Sequence, residues 1–142
     1  MSYTFRGGAA DFGKDQLSIN GIIISPYETL TVPISASTVS TTVFTCDQTY
    51  QLVSISEVHG TASTSGTLMA EKCTGTTAPG SGTALLTGTM SLSGTANTVV
   101  NGTLVSTLGT TNFAVGERLS IKIAGTMTNL ANGCVTIILR RI

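Results

Sequence analysis

Tryptophan is absent, histidine occurs once, and only nine charged side chains are spread over the 110 residues from Pro33 to Ile142. Acid–base catalysis, an activated nucleophile or a metal centre each needs several ionisable groups close together. The one pairing with useful spacing is Glu57 with His59. An i, i+2 pair lies on one face of a strand, so it could supply two metal ligands or a base with its orienting acid. No third ligand stands near, and the expectation is a surface or strand-edge contact between the two. Serines are plentiful, but none lies in a nucleophile motif. Gly80-Ser81-Gly82 is followed by neither a lysine nor a helix that could hold a phosphate. This inventory predicts neither an enzyme nor a cofactor.

Seven acidic side chains balance seven basic ones, so the basic stripe of a nucleic-acid partner is missing. No run reaches the roughly 18 apolar residues of a membrane span. The start, Met1-Ser2-Tyr3-Thr4-Phe5-Arg6-Gly7-Gly8, lacks an apolar leader, so a protein made in the cytoplasm is expected. Cys46, Cys73 and Cys134 form no CxxC pair. That excludes the usual zinc and disulfide signatures and leaves three small hydrophobes.

What the chain does contain is Ser and Thr, 41 of 142 residues, among alternating aliphatics. Thr is a good strand residue, and the sugar-binding reading of so many hydroxyls lacks its aromatic platform. In Arg118-Leu119-Ser120-Ile121-Lys122-Ile123-Ala124 the aliphatics point one way and the polar residues the other, as in a half-buried strand. Further strands are predicted at 41–45 and 50–59, a hairpin-like pair about Cys46-Asp47-Gln48, and at 67–73, 83–86, 89–92, 98–107 and 134–140. The Gly/Pro/Thr connector 74–82 fits no regular structure. About eight strands without a helix read as an all-β antiparallel sandwich or barrel. In the last strand Val135, Ile137 and Leu139 make one apolar face, yet Cys134, Thr136 and Ile138 leave the other far from polar. Such a strand lies centrally or against another subunit.

Residues 1–31 differ in character. The first thirty hold five of the fourteen charges and four of the seven aromatics, interrupted by Gly7-Gly8, Gly13 and Asn20-Gly21. We read 1–31 as an extended arm, with a short strand at 22–25 ending at Pro26, and 32–142 as the β domain. Aromatics and arginine make good interface anchors, so Tyr3, Phe5, Arg6 and Phe12, with Lys14 beside them, are the candidate partner-binding residues. The alternative is an arm folded back as an edge strand over its own core.

Four stretches together carry a family likeness. Phe113-Ala114-Val115-Gly116-Glu117-Arg118-Leu119-Ser120-Ile121 sets a Gly-acid-Arg turn before an alternating strand. Residues 43–59 give a strand, an Asp-containing turn and a second strand ending Glu57-Val58-His59. Gly94-Thr95-Ala96-Asn97-Thr98-Val99 and Gly133-Cys134-Val135-Thr136-Ile137 follow in order. Over roughly 33–142 the chain resembles the capsid decoration, or cement, proteins of tailed bacteriophages. The resemblance implies a jelly roll that sits as a homotrimer on the outer capsid surface of the virion and grips neighbouring major capsid subunits. The arm would then be the clamp, with Tyr3, Phe5, Arg6, Phe12 and Lys14 on the capsid, and Cys134, Thr136 and Ile138 would face the other copies. The rival reading is a trimeric tail-fibre or spike tip that binds a host surface. Tip loops of that kind would carry aromatics or acids, which loops 61–66 and 74–82 lack. A secreted carbohydrate-binding sandwich would need a leader and an aromatic platform.

Overall fold

A computed structural model describes residues 17–19, 22–24 and 26–142. Among them there is no helix. Strands β1 (Leu17–Ile19) and β2 (Ile22–Ile24) form a two-stranded antiparallel sheet of their own. The long strands that follow are β3 (Tyr27–Ile34), β4 (Thr41–Thr45), β5 (Tyr50–Val58) and β6 (Thr67–Cys73). Four two-residue strands come next: β7 (Thr83–Ala84), β8 (Met90–Ser91), β9 (Val100–Asn101) and β10 (Asn112–Phe113). Strands β11 (Arg118–Ala124) and β12 (Gly133–Arg141) end the chain.

Two antiparallel sheets face each other. Sheet I runs β10-β5-β12-β3, with β9 also on β5; sheet II runs β4-β11-β6-β7, with β8 also on β6. If β7 with β8, and β9 with β10, are each counted as one broken strand, there are eight in all. One sheet then has the order 6-3-8-1 and the other 2-7-4-5. That order is an eight-stranded jelly roll.

The inner faces follow the alternation in the sequence. Val135, Ile137 and Leu139 of β12 pack with Leu52 and Ile55 of β5 against Leu68, Ala70, Leu119 and Ile121 of sheet II. β12 is central, one of the two positions the sequence leaves open, flanked by β3 and β5. At one side the sheets are joined: Leu86 bridges Leu104, Thr87 N–H donates to Thr103 O at 2.9 Å, and Val105 N–H donates to Leu85 O at 3.0 Å. On the other side lie the edge strands β3 and β4. Pro33 sits in β3, where a residue without an N–H is tolerated.

Three expectations need correction. β4 and β5 are not a hairpin, because they belong to different sheets. The segment between them is an arch that crosses the sandwich, with Cys46 buried in it. Cys46 N–H donates to Glu117 O at 2.9 Å and Gly116 N–H donates to Cys46 O at 2.8 Å. This arch therefore lies beside the one from β10 to β11, in which Gly116 takes a φ of 83°. Rings of Phe44 and Tyr50 meet edge to face across the crossing, centroids 5.1 Å apart. Second, residues 27–31, read as arm, belong to the jelly roll: Tyr27 to Ile34 pair with Arg140 to Gly133 along the whole of β3. Third, the strand read at 98–107 shrinks to Val100–Asn101. It stops at Gly102, whose backbone presses so close that a Cβ there would lie 2.8 Å from Ile55 Cγ2.

The two faces of β12 give a direct test. Ile137 is fully buried and its neighbour Ile138 only half-buried. Ile137→Ala is expected to lower the unfolding free energy by about 2–5 kcal/mol in urea denaturation, and Ile138→Ala by much less. Equal losses would mean that the inner and outer faces have been assigned wrongly.

Candidate interaction surfaces

The outer faces of the two sheets differ. On sheet II the face formed by Glu71, Cys73, Arg118, Ser120 and Lys122 is covered by the protein's own connector, 74–82. Glu71, 2% exposed, accepts hydrogen bonds from Gly80 N–H at 3.0 Å and Gly82 N–H at 3.1 Å. Arg118 Nη2 donates to Gly75 O at 2.9 Å and Thr77 O at 2.8 Å. Lys122 Nζ lies 3.7 Å from Glu71 Oε1. The charges that alternate outward along this sheet therefore hold a segment that has no ladder of its own. Ser120 is buried beneath it, with its hydroxyl 3.1 Å from that of Thr42.

Among the described residues no connector is hydrogen-bonded across the corresponding face of sheet I. Three cross-strand rows, Pro33–Cys134–Val58, Thr31–Thr136–Ser56 and Thr29–Ile138–Ser54, place small aliphatic, hydroxyl and thiol groups side by side. None of these nine carries a charge. Cys134, Thr136 and Ile138 are half-buried in the middle of the patch. The sequence thus identifies the strand and its exposed face, while the bare setting comes from β3 and β5 on either side.

The Glu57–His59 contact exists, but in the interior and not at the surface. Glu57 is 1% exposed and His59 fully buried, with His59 Nδ1 3.0 Å from Glu57 Oε2 and Nε2 3.3 Å from Gly94 O. The cause is a bulge in β5. Ile138 pairs with Ser54 but Leu139 with Leu52, leaving Val53 as the extra residue. Such an insertion reverses which residues face inward. Tyr50 and Leu52 face the core before the bulge; Ile55, Glu57 and His59 do so after it. The change of apolar phase from Leu52 to Ile55 is the sequence signal that marks this shift. Glu57 Oε1 has no hydrogen-bond partner among the described residues.

Among the described residues no three His, Cys, Asp or Glu side chains are grouped as metal ligands. A shallow hollow between β8 and β9, lined by residues such as Thr87, Thr89, Ser91, Asn101 and Thr103, contains no ionisable side chain. Cys46 and Cys73 are buried, as the sequence predicts, whereas Cys134 is half-exposed. Burial, with the nearby charges of Glu117 and Asp47, pushes the Cys46 thiol up to about 11. Tyr3, Phe5, Arg6, Phe12 and Lys14 lie outside the described residues. Compared with family models, curated proteins and solved structures, the chain matches none of them.

Two outcomes are expected. Glu71→Ala removes the acceptor for two backbone donors, which costs about 1–3 kcal/mol and opens 74–82 to proteolysis; an unchanged cleavage pattern would refute the clamping role. A thiol reagent at mildly alkaline pH should leave Cys46 and Cys73 unlabelled, as mass spectrometry of the folded protein can read. Early labelling of Cys46 would contradict its burial.

Proposed function

We propose that this protein is a structural component of a virion, a decoration protein that binds across neighbouring major capsid subunits of a tailed bacteriophage and stabilises the shell. One observation carries the reading. Three rows on the outer face of sheet I are free of charge, and β1 and β2 pair with each other and with neither jelly-roll sheet, β12 being the only ladder partner of the edge strand β3 among the described residues. That arrangement favours an arm that reaches a partner over one folded back as an edge strand. The family likeness in the sequence names the partner.

In this role Tyr3, Phe5, Arg6, Phe12 and Lys14 anchor the arm on the capsid. The face around Cys134, Thr136 and Ile138 serves contacts between copies in a trimer. Three arms on one body act at high effective concentration, so weak individual contacts add up to strong binding. A protein that binds the closed shell and not its opened state stabilises the closed one by mass action. No catalytic step belongs to this function.

Deleting residues 2–20 tests it. The truncated protein is expected to keep its fold and its self-association and to lose binding to purified capsids in co-sedimentation. Undiminished binding would refute the clamp. Copies per major capsid protein in virions, counted by quantitative mass spectrometry, should be comparable to the capsid subunit; a small handful would indicate the tail, and absence would end the viral reading.

A further inference from the structure

His59 faces a hydrogen-bond acceptor at each ring nitrogen, Glu57 Oε2 at 3.0 Å and Gly94 O at 3.3 Å. A neutral imidazole has one N–H and can satisfy only one of them; the imidazolium has two. For an imidazole that is itself fully buried, although Gly94 is exposed, the second acceptor therefore favours the cation. The same residue also grips the loop with its backbone, since Asn97 N–H donates to His59 O at 2.7 Å. Asn97 adopts a φ of 58° there, a left-handed conformation that asparagine tolerates better than most residues. One residue at the end of β5 thus holds the 93–99 segment, between β8 and β9, at two points.

We propose that His59 is a pH-operated latch: protonated, it clasps residues 93–99 to the end of β5, and its deprotonation releases them. Which contact breaks follows from the geometry. The Glu57 contact is shorter and charge-assisted, so the remaining proton stays on Nδ1. Nε2 then presents a lone pair to Gly94 O, and that contact opens.

Of the elements around the site, β8 and β9 carry no titratable group; Tyr27, Glu28, Arg140 and Arg141 stand at the far end of β3 and β12, where Arg141 pairs with Glu28, and the Cys134 thiol, opposite Val58, lies on the outer face of β12. On the facing sheet, Glu71 and Lys122 lie on the outer face, and Lys72 Nζ donates to Asn112 O at 2.9 Å. The direction of the response follows. Burial pushes the imidazole down, but the hydrogen bonds to Glu57 and Gly94 and the charge of Glu57 bring it to a net value above the ordinary 6.5. A group raised in the closed state contributes its full stabilisation below the open-state value and loses it as pH rises through the closed-state value. The latch is therefore closed in acid and opens as pH rises through the closed-state value.

The test uses the whole protein. Nitrogen-15 NMR of the single histidine between about pH 5 and pH 9, with amide hydrogen exchange on the same samples, reads ring and loop together. The ring is expected to titrate above 6.5. Opening measured at the Asn97 amide, corrected for intrinsic exchange, should rise about tenfold per pH unit up to the ring's own midpoint and then level off. Amides of β6 and β11 should not follow it. Glu57→Gln should shift ring and loop midpoints downward together. A ring that stays neutral throughout, or an Asn97 amide that ignores the ring's titration in the wild-type protein, would overturn the latch.

Discussion

The jelly roll depends on the insertion of β12 between β3 and β5. β12 is the last strand of the chain, and it is the only ladder partner of β3 among the described residues. It also pairs with β5 over eight positions. Its inner residues Val135, Ile137 and Leu139 are completely buried, so they occupy the middle of the core as well as the middle of the sheet. The first strand of the domain has no ladder until the last one arrives. Pairings of such wide sequence separation bear their loop-closure entropy before any contact rewards it, which makes folding of this kind slow.

β11 plays the same part in sheet II, between β4 and β6. The two central strands are joined by a single connection, residues 125–132, and each is apolar toward the other. The sheets are further tied at one end by the paired arches, where Cys46 exchanges backbone hydrogen bonds with Gly116 and Glu117. At one side they are tied by the Leu86–Leu104 bridge. These ties are made by backbone groups, so a chain with few charges still fixes how its sheets meet.

Where one side of a strand is buried and the alternation is unbroken, the sequence locates the element closely. Arg118–Ala124 has the bounds that its pattern predicts, and β12 differs from its predicted range by one residue at each end. Pattern fails where the deciding interaction is distant. A turn signal at Cys46-Asp47-Gln48 marks the end of β4, but the pairing of β4 with β11 and of β5 with β12 decides that the chain crosses the sandwich there. The bulge at Val53 hides in the same way, and with it the burial of Glu57 and His59. Glycines and aromatics make 1–31 look like one arm, yet Glu28, Thr29, Leu30 and Thr31 already alternate against β12. The role of Glu71 is invisible in sequence because its partners are backbone groups nine and eleven residues further on. Of the candidate interface residues, only Cys134, Thr136 and Ile138 fall where the structure describes their surroundings.

The low charge of the chain takes on meaning from how its charges are used. Glu71 and Arg118 hold the connector, Lys122 pairs with Glu71, Glu28 and Arg141 pair at one end, Arg140 donates to Gln51, and Glu57 faces His59 in the core. Apart from the end row, where Arg140 donates to Gln51, the outer face of sheet I presents hydroxyls, a thiol and short aliphatics. Bringing its three uncharged rows against like ones requires no buried charge to be desolvated, the largest cost of polar association. Its Ser and Thr hydroxyls can hydrogen-bond to water until it is covered. A surface of this composition is compatible with both a soluble and an assembled state, whereas a charged one would resist assembly and a purely aliphatic one would aggregate before reaching its place. Under the proposed role, division of labour follows: the arm selects the capsid, the bare sheet joins the copies, and the connector keeps the opposite sheet from doing the same.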